Sequence, residues 1–279
     1  MGTTVIATHP AGRWLSRLDT TPPLAWLALQ AAALWPHWRW AAARVADGSD
    51  DPLGLAALAA LGVLVFRLEP LLRGSPRPGW LLAALAASAV ATLSTFGLPP
   101  LIGALLAALA MAAGLRAFMP SGHALLPMAG LAVLALPVVS SLQFYAGYPL
   151  RVLTAQLSTW LLQAVGFAAE RSGAAMQVRG RLIVVDAPCS GVQMVWMAYF
   201  CACAVAAFRG LRDREVLARL PFVGALVLAG NVLRNSVLVA LEAQQQVSEA
   251  VHQGVGLVVL LLVCSAVVAV VRGGHHARA

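Results

Sequence analysis

The sequence predicts an all-α polytopic membrane protein, and three observations support this fold class. Of the 279 residues, 60% are hydrophobic and only 11% are charged, whereas soluble domains carry about 25% charged residues. Apolar stretches long enough to cross the ~30 Å hydrocarbon core of a bilayer as helices recur along the chain. The arginines stand singly between these stretches, which favours a role in membrane orientation and argues against a surface that binds nucleic acid.

Eight stretches are predicted to be transmembrane helices. They are residues 24–42, 53–72, 80–96, 99–118, 124–146, 191–208, 220–241 and 254–271. A ninth stretch, 151–168, is interrupted by polar residues and is expected to lie on the outer face of the membrane as an amphipathic helix. The β-branched run 182–185 predicts a short extended strip. Because no repeat or linker divides the chain, we treat residues 1–279 as a single membrane domain.

The distribution of charge predicts which membrane face each loop occupies. The net charge of +8 comes from arginine alone, since the sequence contains no lysine. The positive-inside rule assigns to the cytoplasm the arginines that flank one set of helix ends. They are Arg13, Arg17, Arg67, Arg73, Arg77, Arg116, Arg209, Arg212, Arg214, Arg219, Arg272 and Arg278. Both termini then lie inside and the number of spans is even, so 151–168 is not expected to cross.

A candidate nucleophile lies where the long outer loop meets the next helix. Cys189 follows Pro188 and precedes two small residues, a pattern that suits a helix start, and a helix N-terminus favours a thiolate. The alternative is an inert, buried thiol, which is common in apolar surroundings. Asp186 either caps the helix or orients a neighbouring group. The remaining cysteines lie in apolar stretches and are expected to be packing residues without metal or disulfide: Cys201, Cys203 and Cys264.

Arg234 is a charge inside an otherwise apolar helix, about 10 Å below its outer end. Such a charge is costly and usually faces the protein interior or a watery cavity, although the side chain could also snorkel to the membrane surface. Asn231 lies three positions earlier, on the same helix face, where its amide could hold the guanidinium.

His252 begins the last predicted span and is followed by Gly254 and Gly256, which allow close approach of helices. Alone it would be read as a polar anchor at the membrane surface. The orientation argument, however, directs Cys189, Arg234 and His252 to the same face. Together they supply the groups for thiol acyl transfer: a nucleophile, a proton carrier and a cation for the oxyanion. Two further roles stay open, activation of the thiol by His252 and binding of a substrate carbonyl by Arg234.

These residues resemble the motifs of the exosortase/archaeosortase family. That family has an (A/P)-C-S-G segment, an N-x-x-R segment in a later helix and a histidine that opens the next helix. Here they correspond to 188–191, 231–234 and His252. The resemblance covers residues 124–272, whereas residues 1–123 show only the hydropathy of additional transmembrane helices. Proline rather than the commoner alanine precedes the cysteine, so the subfamily is not assigned.

The resemblance implies a membrane cysteine protease or transpeptidase. Its substrates would be exported proteins with a C-terminal sorting signal, made of a short motif such as Pro-Glu-Pro, a transmembrane helix and a basic cluster. Cleavage would proceed through a thioester on Cys189, with Arg234 and His252 completing the site and no cofactor. The resemblance also implies a bacterial inner membrane, a site that faces the periplasm and a link to exopolysaccharide machinery.

Three other functions are consistent with parts of the sequence. The string Pro-Ser-Gly-His at 120–123 occurs in membrane lipid phosphatases, but these also need a lysine, which this chain lacks. A thiol-redox enzyme would need paired reactive cysteines, and Cys201 and Cys203 are expected to point to different faces of one helix. A transporter or a non-enzymatic subunit of exopolysaccharide or envelope assembly is the main alternative, although no internal repeat supports a transporter.

Overall fold

The computed structural model describes residues 21–185, 190–245 and 247–273, and within these ranges the chain forms ten α-helices and one antiparallel sheet. The helices are α1 Pro23–Ala33, α2 Trp35–Ala46, α3 Gly54–Leu68, α4 Pro78–Ser94, α5 Pro100–Phe118, α6 Leu126–Leu134, α7 Val139–Ala164, α8 Val192–Phe208, α9 Asp213–Glu242 and α10 Glu249–Arg272. The strands are β1 Ala169–Ser172, β2 Ala175–Val178 and β3 Arg181–Val184. A 3₁₀ turn, Glu69–Leu71, extends α3.

Within the described part of the chain, four helical segments are long and apolar enough to cross a bilayer: α3 with its 3₁₀ turn, α5, α9 and α10. The bent pair α6 and α7 raises this number to five if the pair is counted as one span. Shorter apolar helices are α1, α4 and α8. The chain is therefore a mostly helical, multi-pass membrane protein, and the count of eight spans stays a prediction.

Two predicted spans are wrong as single straight helices. Residues 24–42 divide into α1 and α2 at Leu34, because Pro36 has no N–H to continue the first helix. Residues 124–146 divide where α6 and α7 meet at an angle of 95°, and Pro137 lies in this break.

The predicted amphipathic segment 151–168 is not a separate element. Its residues up to Ala164 form the second half of α7, a helix of 26 residues that continues through Pro149. A single proline costs one backbone hydrogen bond, and packing of α7 against α9 and α8 compensates for it. The polar residues that interrupt the segment in sequence include Thr154 and Ser158, and both are buried. Their polarity therefore marks a contact between helices.

The extended strip predicted at 182–185 is confirmed as β3, which is the last strand of a meander in the order β1-β2-β3. Arg179 and Gly180 form the turn before β3 and both have positive φ, 52° and 80°, as two-residue hairpin turns require. The sheet packs on α7 and α9 through a cluster of buried residues: Ala155, Leu162, Ala169, Met176, Val178, Val185, Val239 and Ala243. The sheet thus lies over the ends of α7 and α9, which are joined by hydrogen bonds between buried polar side chains.

Candidate active site

Arg234 and His252 are in direct contact. The arginine Nη2 lies 3.4 Å from Nε2 of the histidine, at the long end of the range for a hydrogen bond. Arg234 is in α9, and His252 is in the first turn of α10, which Ser248 caps by accepting a hydrogen bond from Val251. The structure brings these two residues together, as the orientation argument expects, while their roles in catalysis stay predictions.

Gly256 allows the Arg234 side chain to lie against α10. A Cβ atom at this glycine would be 3.1 Å from Nε of the arginine and 3.4 Å from its Cζ. Any other residue would therefore push the guanidinium away. A Cβ atom at Gly254 would have no neighbour within 4 Å. Of the two predicted glycines, therefore, only Gly256 is in close contact with another element.

Asn231 holds the start of α8 in place. Its amide is buried, and its Nδ2 donates a hydrogen bond of 2.9 Å to Oγ1 of Thr154 in α7. Gly191, which precedes α8, lies against this amide with φ of +84°, and a Cβ there would be only 2.8 Å from Cγ of Asn231. The predicted partner of the Asn231 amide was Arg234. That contact stays a prediction, and the structure shows that the amide also lies against Gly191, the residue before α8.

Ser190 anchors the same segment from the other side. It is buried, and its hydroxyl donates to Oε1 of Gln143 at 2.8 Å and accepts from the backbone N–H of Val192 at 3.3 Å. Residues 190 and 191 are therefore held between α7 and α9. The preceding residues 186–189, which include the predicted nucleophile Cys189 and its predicted supporting residue Asp186, lie outside the described residues.

A polar seam joins α7 to α9 beside the site. Besides the Thr154–Asn231 bond, Asn235 donates from Nδ2 to Oγ of Ser158 at 3.0 Å, and Ser158 donates to the carbonyl of Val232 at 3.3 Å. Hydrogen bonds between membrane helices contribute about 0.6 kcal/mol each on average. Their main effect here is to fix the rotation of α9 and so the direction of Arg234.

Each residue of the Arg234–His252 contact lines a different cavity. The first, of about 440 Å³, is lined by Arg234, Gly191 and Gly256 together with Asp51 and Gln193; we call it the Arg234 cavity. The second, of about 220 Å³, lies between β3, α9 and His252; we call it the His252 cleft. The two contacting side chains thus belong to the walls of neighbouring spaces.

A third cavity, of about 660 Å³, borders Ser190. It is lined by Ser190, Gln143 and Arg151 and shares Asp51 and Gln193 with the Arg234 cavity; we call it the Ser190 cavity. Asp51 accepts a hydrogen bond of 3.0 Å from Nε2 of Gln193. The volumes of the Arg234 cavity and the Ser190 cavity fall in the range of about 300–1,000 Å³ that is typical of ligand sites.

The loop that supplies Asp51 is fixed by its own acidic residues. Asp50 is fully buried, accepts from the backbone N–H of Ser140 at the start of α7 and lies 3.8 Å from Nη2 of Arg44. Hydrogen bonds from Ser49 lower the pKa of Asp47 below its ordinary value. These contacts tie the loop between α2 and α3 to the bend before α7, which positions Asp51 at the cavity walls.

The family model described as "Transmembrane exosortase" matches residues 14–269. The chain belongs to the transmembrane exosortase family. No curated protein and no solved structure matches it. The match confirms the family inferred from the motifs, and it extends over residues 14–123, where sequence inspection found hydropathy alone. An exosortase-type function in the membrane follows for the chain in general terms.

Several residues around the candidate site were not predicted from the sequence. Thr154 and Ser158 are four positions apart on one helix face, and this spacing could have indicated a helix contact. Gln143, Asp51 and Gln193 gave no such signal, because each comes from a different segment of the chain.

The cysteines in the described part of the chain lie away from these cavities. Cys203 packs in the main hydrophobic core, where a Cβ at Gly130 would be 2.7 Å from its sulfur. Cys201 and Cys264 are half-buried within α8 and α10. Among the described residues, no group of three or more His, Cys, Asp and Glu side chains is placed to hold a metal ion.

Proposed function

We propose that the chain is a cysteine transpeptidase that cleaves C-terminal sorting signals of exported proteins through a thioester on Cys189. The observation that supports it most directly is the contact of Arg234 with His252. Arg234 lies one turn of α9 away from Asn231, whose amide packs against Gly191. A cation, a proton carrier and the anchored continuation of the cysteine segment thus meet beside two cavities.

In the first step, the thiolate of Cys189 attacks the carbonyl carbon of the scissile peptide bond. The carbonyl oxygen becomes an oxyanion, and the Arg234 guanidinium stabilises its charge. When the C–N bond breaks, His252 delivers to the leaving amine the proton that came from the thiol. The products are a thioester on Cys189 and the released tail, which carries the transmembrane helix and the basic cluster.

In the second step, an acceptor attacks the thioester. A water molecule gives hydrolysis, whereas an amine or a hydroxyl group gives transfer of the acyl group. In either case His252 takes the proton of the acceptor, the C–S bond breaks and the thiolate of Cys189 is regenerated. The Ser190 cavity, which is the largest of the three, has room for the acceptor or for side chains of the substrate.

The proposed location is the bacterial inner membrane with the site toward the periplasm. Arg67 and Arg116 belong to the helix ends that lie far from the site: Arg67 packs on the Phe208 ring at the end of α8, and Arg116 donates to the carbonyl of His123. The positive-inside rule favours the cytoplasm for that end of the bundle. A functional link to exopolysaccharide machinery is a further expectation from the family.

The experiment that tests this proposal compares the tails of membrane and secreted proteins in the native host by mass spectrometry. Wild type is compared with Cys189→Ala and with Cys264→Ala, a control that removes a thiol from α10. We expect precursors that keep a hydrophobic, basic-ended tail to accumulate in Cys189→Ala alone. Identical tails in all three strains, with normal amounts of each variant in the membrane, would rule out processing by Cys189 and favour the transporter or assembly subunit.

A further inference from the structure

The backbone of β3 has one edge directed away from the rest of the sheet. The register pairs Ala175 with Val184, and the N–H of Val185 donates to the carbonyl of Ala174 at 3.0 Å. Hydrogen-bonded pairs alternate along antiparallel strands. The N–H and C=O groups of Leu182 and Val184 therefore point away from β2, and in the described part of the chain β3 pairs with β2 alone.

This edge of β3 faces the His252 cleft. The cleft is lined by three consecutive residues of β3, 182–184, and on its other side by α9 and His252. Since β2 occupies one side of β3, the space that borders all three residues lies along the other. Leu182 and Val184 are also the exposed apolar side chains of this strand, at 70% and 53%.

The opposite edge of the sheet differs, because side chains close it. In β1, the carbonyl of Ala169 accepts a hydrogen bond of 2.8 Å from Nε2 of Gln163 in α7. Arg171, in the same strand, donates from its side chain to Oε1 of Gln156 in α7 at 2.8 Å. Proteins usually protect edge strands in such ways, so an edge that instead borders a cleft beside His252 has the features of a binding surface.

We propose that β3 binds the extended backbone of the substrate polypeptide, which adds to the sheet as a fourth strand in the His252 cleft. The proposal rests on the proposed function and specifies how the substrate is held. The chain runs from β3 directly into the segment of Cys189, and His252 forms the wall of the cleft. A strand laid against Leu182 and Val184 would lie beside His252 with its peptide bonds extended.

This mode of binding makes a distinct prediction about specificity. Hydrogen bonds to N–H and C=O groups do not depend on the side chains of the bound strand. Edge pairing therefore supplies affinity and alignment, and the choice of motif falls to side-chain contacts elsewhere, such as those of the Ser190 cavity. Each lost backbone hydrogen bond should lower binding by up to about tenfold.

The first test removes an edge N–H without breaking the sheet. Leu182→Pro lacks the N–H that points into the cleft, and proline is tolerated at such edge positions. Arg171→Pro, compared with Arg171→Ala because both lose the side-chain bonds to Gln156 and Gly173, is the control, since the N–H of residue 171 points outward from the opposite edge. The probe is the epitope-tagged precursor that accumulates in the Cys189→Ala strain, processed in membranes. We expect about tenfold slower processing by Leu182→Pro and wild-type rates by the control; equal rates in both variants would overturn edge binding.

The second test leaves the protein unchanged, so it does not depend on folding of a variant. Synthetic peptides that copy the cleavage site of that precursor carry one N-methyl group each, and wild-type protein cleaves them. Because only alternate N–H groups of a paired strand reach its neighbour, inhibition should recur at every second position. Inhibition without this period, or none at all, contradicts the proposal. If wild type processes no precursor, the proposed function itself fails, and the edge proposal with it.

Discussion

Buried or half-buried polar side chains occur in both halves of the bundle, but their roles differ. In the N-terminal half, Gln30 of α1 donates to Oγ of Ser88 at 3.0 Å and to the carbonyl of Ala110 at 2.8 Å, and His37 bonds to the carbonyl of Ala91 at 3.0 Å. These contacts join α1 and α2 to the alanine-rich pair α4 and α5. The partners of Gln30 and His37 are backbone carbonyls or a hydroxyl group of neighbouring helices. These polar side chains therefore stabilise the packing of helices.

In the C-terminal half, a similar set of bonds between α7 and α9 lies next to the candidate catalytic residue Arg234. Asn231 and Asn235 bond to Thr154 and Ser158, and the same turn of α9 presents Arg234 to a cavity. The comparison indicates that a buried histidine or amide in this membrane protein is not evidence of a site by itself. Position beside a cavity and beside the cysteine segment distinguishes the site from a helix contact.

The largest expected effect is that of Arg234→Gln. Loss of the cation at the oxyanion should slow precursor cleavage by about 100- to 1,000-fold, with normal amounts of protein in the membrane. Arg219→Gln is the control in the same helix, because Arg219 bonds to the carbonyls of Glu215 and Val270 at the far end. The measurement is the rate of precursor cleavage in membranes that contain each variant. An equal loss in both variants would mean that either arginine acts by holding α9 to α10.

Gly256→Ala should have a smaller but clear effect. The new methyl group would lie 3.1 Å from Nε of Arg234, and displacing a catalytic group by a fraction of an ångström should cost about tenfold in rate. Gly254→Ala in the same helix meets open space, so its rate should stay unchanged while helix propensity adds up to about 1 kcal/mol of stability. Wild-type rates in both variants would contradict the packing of the guanidinium on α10.

Thr154→Val tests whether the polar seam positions the site. The Asn231 amide loses its acceptor, which should cost about 0.6–1.7 kcal/mol and slow cleavage by roughly 3- to 20-fold if the whole amount is felt at the site. Thr159→Val is the control, because the Thr159 hydroxyl bonds within its own helix to Ala155. We expect the maximal rate of Thr154→Val to fall while its thermal unfolding shifts little. If Thr154→Val instead lowers the unfolding temperature without changing the cleavage rate, the polar seam stabilises the fold and does not position the site.

The smallest effect on cleavage is expected in the N-terminal half. Gln30→Leu removes the bonds to Ser88 and Ala110 and should lower the free energy of unfolding by about 1 kcal/mol. The rate per folded molecule should equal that of wild type, since the side chain lies among helices that do not line the Arg234 cavity. Thermal unfolding in detergent and cleavage at low temperature measure the two quantities separately. A slower rate at low temperature would show that this half of the bundle also acts on the site.

Much of the candidate site could be predicted because its residues are exceptions to their surroundings. Arg234 is a charge in an apolar helix, and His252 opens an apolar helix, so each is visible without knowing its neighbours. Residues such as Thr154 and Gln143 become part of the site only through contacts with distant positions, and polar residues of their kind are common at helix surfaces. For Cys189 and Asp186, the sequence remains the basis of the prediction.

The sequence by itself determined the membrane class, the family and the segments from which the site is built, because hydropathy and short motifs are local properties of the chain. It also predicted β3, whose β-branched run is a local signal. The tertiary structure decided the 95° bend before α7, the two further strands and the packing of Gly191 and Gly256 on Asn231 and Arg234. These features depend on contacts between residues that are distant in the sequence. The free energy of such a contact depends on both partners and cannot be inferred from one segment of the chain alone.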